Sequence, residues 1–161
     1  MPSRFSKDAL SPRLKWSAID PLYLDQLIAQ ARSEDLSGLG LRTTPRHSLD
    51  VSSTLFSDRF KIGKRALLVA REACILCGLE LVPHILKAYD PKLSFRPNAQ
   101  DGDSLEKGAL IGQIEGPVTP LLQAERILLN FLQHLSGIAT ETQHYSDCLE
   151  GSETRLLDTR K

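Results

Sequence analysis

A long helical segment that begins near Pro117 constrains the fold of this chain more than any other part of its sequence. Its apolar residues recur at helical spacing over a wide arc; they are Leu121, Leu122, Leu128, Leu129, Leu132 and Leu135. The opposite sector carries a narrow polar stripe, which consists of Gln123, Arg126, Asn130, Gln133 and His134. We therefore predict a helix that is buried over most of its circumference. The stripe is predicted to line a crevice or a subunit contact, and the alternative is an ordinary solvated face.

Shorter elements precede this helix. Asp20 is a good capping residue and Pro21 suits the first helical position, so a helix is predicted from there to about Ser33. Strands are predicted at 51–55, 66–70, 93–96 and 109–115, and a second helix at 78–88. Because short links join the strands, we predict an α+β fold, with a mixed or antiparallel sheet and helices packed on it.

The composition excludes several classes of protein. The chain has 161 residues, with 20 basic and 20 acidic side chains, so no global field attracts nucleic acid or a membrane surface. No apolar run approaches the roughly 20 residues of a membrane span. The first residues lack the apolar core of a signal peptide, so we expect a cytoplasmic protein.

The cysteines point to the same compartment. There are three of them, and an odd number is typical of a reducing environment rather than a disulfide framework. Cys74 and Cys77 form a C-x-x-C pair in what is predicted to be an apolar turn. No second pair accompanies them, so structural thiols are favoured over a metal or redox site.

The last residues indicate an anion site. Leu156 and Leu157 fit a strand buried on both faces, as in a parallel sheet. Thr159, Arg160 and Lys161 follow it, where ligands bind in α/β barrels. A flexible basic tail is the alternative interpretation. A parallel strand needs a crossover and a neighbour, so we interpret this segment as the first strand of an incomplete barrel.

These elements divide the chain into three parts. Residues 1–18 are expected to form a flexible extension, 19–153 an N-terminal α/β domain that includes the long helix, and 154–161 the first barrel strand.

Several motifs together carry a family resemblance. They are D-G-D-S-L-E-K-G at 101–108, A-E-R at 124–126, L-N-F-L at 129–132, L-S-G-I-A-T at 135–140 and L-D-T-R-K at 157–161. With these motifs the chain resembles the quinolinate phosphoribosyltransferases, also called carboxylating nicotinate-nucleotide pyrophosphorylases. The resemblance covers residues 20–161 and is most specific in the motifs within 124–140 and 157–161.

The resemblance implies a transferase of NAD biosynthesis that joins quinolinate to phosphoribosyl pyrophosphate in the presence of Mg²⁺. The products are nicotinate mononucleotide, pyrophosphate and carbon dioxide. It implies a homodimer or larger oligomer in which Arg126 reaches quinolinate across the subunit interface. Thr159, Arg160 and Lys161 would contact quinolinate as well. No catalytic residue and no ligand of Mg²⁺ is identified in the chain by this resemblance.

Two alternatives remain at this point. D-G-D-x-L-x-x-G also occurs in biotinyl or lipoyl carrier modules, although no modifiable lysine at a hairpin tip accompanies it here. A paralogue with another substrate, such as the type associated with molybdenum uptake, fits the same motifs. Because the family's later barrel strands are absent, we expect the isolated polypeptide to be catalytically inactive.

Overall fold

The structure is a computed structural model that describes residues 15–43, 63–154 and 156–157. Within these ranges, three α-helices and five strands follow a short 3-10 turn at Trp16–Ala18. In chain order they are α1 (Pro21–Ser37), β1 (Gly63–Val69), β2 (Cys74–Ile75), α2 (Leu81–Tyr89), β3 (Ser94–Pro97), β4 (Ser104–Leu105), β5 (Leu110–Pro117) and α3 (Val118–Cys148). This arrangement confirms the predicted α+β class.

Both sheets of the described chain are antiparallel. The larger has the order β1–β5–β3, and the smaller pairs β2 with β4. Gly112 lies in the middle of β5, where a glycine normally weakens a strand. A Cβ there would lie 2.5 Å from the ring of Phe95 and 2.9 Å from the carbonyl oxygen of Arg96. The glycine is therefore required for the close packing of β3 on β5.

Helix α1 begins as predicted and ends later. The side chain of Asp20 accepts a hydrogen bond from the Leu22 amide at 2.9 Å, and Pro21 occupies the first turn. The predicted end near Ser33 was four residues too early, because the helix continues to Ser37. Gly38 ends it in the left-handed conformation with φ of 68°, which is the usual function of a glycine at that position.

Helix α3 packs against α1, α2, β2 and β5. The residues buried along it are Ala124, Ile127, Leu128, Leu132 and Ser136. Burial of Leu128 and Leu132 is confirmed, whereas the other four leucines of the predicted apolar face are half-buried. The predicted apolar face spans residues 121–135, and beyond it residues 141–148 of the same helix are all exposed. The core packs only against the first two thirds of the helix.

Two hydroxyl groups on α3 connect this helix to β2 and to the loop that follows β2. The Ser136 hydroxyl accepts a hydrogen bond from the Cys77 amide at 3.0 Å and lies 3.3 Å from the Cys77 carbonyl oxygen, to which it donates. One turn further on, the Thr140 hydroxyl accepts from the Ile75 amide at 2.9 Å. Ser136 is only 7% exposed, so water does not replace these bonds easily. The polar residues of the L-S-G-I-A-T motif therefore hold the β2 segment on the helix.

Asp101 holds the other end of the same loop. Its two carboxylate oxygens accept from the Gly78 and Leu79 amides at 3.0 and 2.9 Å, just before α2 begins. Gly78 has φ of 104°, and a Cβ there would lie 2.8 Å from a methyl group of Leu135. The D-G-D turn and the helix motif thus converge on one loop. Helix α2 begins at Leu81 rather than at Gly78, because residues 79–80 form a turn.

Several predictions need correction or lie outside the described residues. Cys74 is in strand β2, not in a turn, because it pairs with Leu105. Residues 16–18 of the expected flexible extension form the 3-10 turn, with Trp16 packed against the core. The strand predicted at 51–55 falls outside the described residues.

The predicted barrel strand at 154–161 lies mostly outside the described residues and stays a prediction. Leu156 and Leu157 are 48% and 60% exposed and belong to neither sheet. A buried strand needs neighbours that satisfy its backbone groups, and none lies beside these two residues in the described part of the chain.

The Ser136 contact generates a stability prediction. Replacing Ser136 with alanine leaves the Cys77 amide unsatisfied in a poorly hydrated position, so we expect the free energy of unfolding to fall by about 1–3 kcal/mol. Urea denaturation followed by circular dichroism measures this change. Ser146→Ala is the matched control, because the Ser146 hydroxyl donates only to the Thr142 carbonyl on the exposed end of α3. Equal effects of the two substitutions would contradict this explanation.

Candidate functional site

The polar stripe of α3 borders a groove between α1 and α3. The groove has a volume of about 690 Å³ and is wide open to solvent. It is lined by Ala31, Glu34, Ile127, Asn130, Phe131, Gln133 and His134. Three members of the predicted stripe therefore line a crevice, as expected. Ile127 and Phe131 are the more buried apolar residues of its lining, whereas Asn130, Gln133 and His134 are polar and exposed.

Arg126 lies one helical turn before Asn130, beside this groove. Its Nη1 atom donates a hydrogen bond to Oδ1 of Asp35 at 2.7 Å. The two side chains differ sharply in exposure, with 73% for Arg126 and 12% for Asp35. The exposed guanidinium group of Arg126 is thus held by an ion pair with a carboxylate that is largely buried.

Asp35 was not identified from the sequence, although its position carries a signal. It lies in the last turn of α1, where the helix dipole places partial negative charge and disfavours a carboxylate. A nearby cation compensates for this cost, and Arg126 from α3 provides it. The signal is weak, because Glu34 in the same turn accepts a hydrogen bond from Gln30 and has no ion pair among the described residues. The sequence also does not say which cation pairs with Asp35.

The other predicted binding residues cannot be placed. Thr159, Arg160 and Lys161 lie outside the described residues, and their role stays a prediction. Arg126 is therefore the one member of the predicted site whose surroundings the structure describes.

The histidines show no catalytic arrangement within the described residues. His134 lines the groove and is exposed. His84 lies 3.8 Å from Asp25 and its ring is 6.0 Å from that of Trp16, so it belongs to the contact of α2 with α1 and the 3-10 turn. His144 lies 3.8 Å from Glu141 on the exposed end of α3.

The C-x-x-C pair has the properties of structural thiols. Cys74 and Cys77 are free and half-buried, whereas Cys148 is free and exposed. Burial raises the pKa of the Cys74 thiol, and the charge of Glu72 adds to that effect. Burial likewise raises the pKa of the Cys77 thiol, with a smaller contribution from Asp101. Both effects suppress the reactive thiolate.

The described residues do not form a metal site. No three histidine, cysteine, aspartate or glutamate side chains among them are placed to hold a metal ion. The Mg²⁺ ion that the resemblance implies stays a prediction, and we derive no chemical step through it. No helix in the described ranges is long and apolar enough to cross a membrane.

The fold and the groove define an α+β domain that presents one anchored arginine beside an open crevice. The sequence profile of the quinolinate phosphoribosyl transferase N-terminal domain matches residues 52–136, which is just over half of the chain. The chain therefore belongs to this family. The match includes the D-G-D motif at 101–108 that had also suggested a carrier module, so family membership accounts for that motif.

Individual relatives agree with the family. A probable carboxylating nicotinate-nucleotide pyrophosphorylase of Bacillus subtilis is 36% identical over 96 residues, which is 60% of this chain and 33% of the relative. A quinolinate phosphoribosyltransferase of Nicotiana glauca is 31% identical over 157 residues, which is 97% of this chain and 41% of the relative. A chloroplastic relative of Arabidopsis thaliana is 35% identical over 76% of this chain and 34% of its own length.

Solved structures show the same fold. NadC from Streptococcus pyogenes superposes with a TM-score of 0.74 and 34% identity. The nicotinate-nucleotide pyrophosphorylase of Francisella tularensis gives 0.75 and 27% identity. Each match covers 88% of this chain and 47% of the solved one. The chain thus spans less than half the length of these relatives, and a third to two fifths of the three curated ones.

The thiols generate a labelling prediction. At neutral pH, N-ethylmaleimide should modify exposed Cys148 at least ~10-fold faster than Cys74 or Cys77, because a raised pKa and burial reduce accessible thiolate. The rates at Cys74 and Cys77 should rise as the pH approaches their raised pKa values. Peptide mass spectrometry measures the three rates, and the urea-unfolded chain is the control in which they should converge. Faster modification of Cys74 than of Cys148 would show that the C-x-x-C pair is reactive.

Proposed function

We propose that this chain is the N-terminal part of an enzyme that transfers phosphoribosyl from phosphoribosyl pyrophosphate to quinolinate. The reaction includes decarboxylation and yields nicotinate mononucleotide for NAD biosynthesis. Family membership and the names of the relatives support this activity. One structural observation supports a specific residue for substrate binding. The guanidinium of Arg126 is exposed, and its ion pair with Asp35 holds it beside the groove.

Quinolinate carries two carboxylates on a pyridine ring, and its recognition requires several fixed cations. An arginine guanidinium offers a planar fork that matches one carboxylate with two hydrogen bonds. Among the described residues, Arg126 donates a single hydrogen bond, to Asp35, so most of its five N–H donors are available. Arg160 and Lys161 are proposed to provide the remaining charge, with Thr159 as a neutral hydrogen-bond partner.

The chemistry depends more on charge placement than on a nucleophilic side chain. Positive charge develops at the anomeric carbon as pyrophosphate leaves, and the pyridine nitrogen of quinolinate attacks that carbon. Cations that hold both substrates in line supply orientation and electrostatic stabilisation. In this scheme Arg126 binds and orients quinolinate, and no described residue transfers a proton.

The proposal includes a homodimer or larger oligomer, a cytoplasmic location and Mg²⁺ bound with the pyrophosphate donor. The exposure of Arg126 supports the oligomer, because an arginine that binds substrate in a neighbouring protomer must project from its own. Three free cysteines are consistent with a reducing compartment.

An activity assay on a completed enzyme tests the proposal. The whole 161-residue chain is joined to the segment of Streptococcus pyogenes NadC that lies beyond the superposed region. We expect this chimera to form nicotinate mononucleotide, whereas the 161-residue chain alone should form none. Turnover of a different pyridine carboxylic acid, but not of quinolinate, would instead establish the paralogue with another substrate.

Arg126→Ala in the chimera tests the assigned residue. Loss of a charge-assisted hydrogen bond of about 1.5–3 kcal/mol should raise the KM for quinolinate roughly 10- to 150-fold. The matched control is Arg65→Ala, which removes an exposed arginine from the 2.8 Å ion pair with Glu115 on the sheet. An unchanged KM in the Arg126 variant would contradict the role of this residue.

A further inference from the structure

We propose that Asp35 is a positioning residue that orients the guanidinium of Arg126 for the carboxylate of the substrate. This inference rests on the proposed function, because it concerns the same binding group. It assigns a role to a residue in a different helix, α1, which neither the motifs nor the family resemblance singled out.

The first support is the geometry of the pair. Asp35 binds Nη1 alone, at 2.7 Å, and its carboxylate is only 12% exposed. One nitrogen of the planar group is therefore fixed on the protein, while 73% of the arginine side chain remains open. A guanidinium held at one Nη can still offer two other N–H groups to a second carboxylate.

The second support is that stability does not explain a carboxylate at this position. Asp35 occupies the last turn of α1, where the helix dipole disfavours negative charge. Burying the Asp35 carboxylate costs hydration that an ion pair with an exposed partner does not fully restore, so the pair is weak evidence of a stabilising role. An aspartate there is better explained by what it does to Arg126 than by what it adds to the fold.

The third support is the entropy of a long side chain. A free surface arginine samples many rotamers, and binding must immobilise it. An anchor within the same chain removes part of that cost before the substrate arrives. This matters most for an arginine that serves a neighbouring protomer, because that site cannot orient it before assembly.

The neighbouring groove agrees with this assignment. Ala31 and Asn130, which line it, each lie one helical turn from a member of the pair. The exposed guanidinium therefore lies close to the polar lining residue Asn130 along α3. We propose that a planar acid bound beside the groove would meet both groups.

Steady-state kinetics of the chimera test the role. We expect Asp35→Ala to raise the KM for quinolinate about three- to tenfold, the range set by immobilising one flexible side chain, with little change in kcat. Asp35→Asn keeps an acceptor oxygen for Nη1 and should restore the KM to within about twofold of the parent. Glu115→Ala, which breaks the Arg65 ion pair on the sheet, is the control and should leave the KM unchanged.

The outcomes separate this inference from the proposed function. An unchanged or lowered KM for Asp35→Ala, in a chimera where Arg126→Ala raises it, would overturn the positioning role and leave the function intact. An absence of all turnover would count against the proposed function instead, and the positioning role would then be decided on the 161-residue chain itself.

On the 161-residue chain, the positioning role is tested by nuclear magnetic relaxation of the Arg126 Nε–Hε group. In the parent chain we expect an ordered group, and in Asp35→Ala a large loss of order on the picosecond to nanosecond timescale. The Asp35→Asn variant should retain most of the order. Equal mobility of Arg126 in the parent and in Asp35→Ala would show that Asp35 does not position it.

Discussion

The position of Arg126 depends on the packing of helix α3, which contacts both other described helices and one strand of each sheet. Five residues along α3 are buried, among them Leu128 and Leu132. Ser136 and Thr140 add directional bonds that fix the β2 segment on the same helix. Because Arg126 belongs to this rigid element, its Cα is placed accurately with respect to α1. The burial of α3 is therefore what allows a surface arginine to meet one particular carboxylate.

A substrate-binding cation must be held in one orientation and must remain accessible to the ligand. Asp35 and Arg126 meet these two requirements separately. The carboxylate is largely buried and faces the protein, while the guanidinium remains exposed to a ligand. The buried carboxylate can therefore orient the guanidinium without covering it. It also explains an acidic residue at the end of a helix, where charge alone would disfavour it.

The sequence predicted the elements whose signals are local. The Asp20–Pro21 start of α1, the D-G-D turn and the apolar spacing of α3 were sufficient, because caps, turns and periodicity act over a few residues. The exposed end of α3 agrees with its sequence, because residues 141–148 contain no aliphatic side chain. Asp35 was missed because its partner is 91 positions away in sequence, and only tertiary packing joins them. Arg126 itself was identified from a motif, and the groove beside it from the polar stripe.

The most direct test of the central claim is a crystal structure of the chimera with quinolinate bound. Arg126 should lie within hydrogen-bond distance of a quinolinate carboxylate in a neighbouring protomer, with its Nη1 still bound to Asp35. A guanidinium that points away from the ligand, on a surface that no protomer covers, would contradict the account.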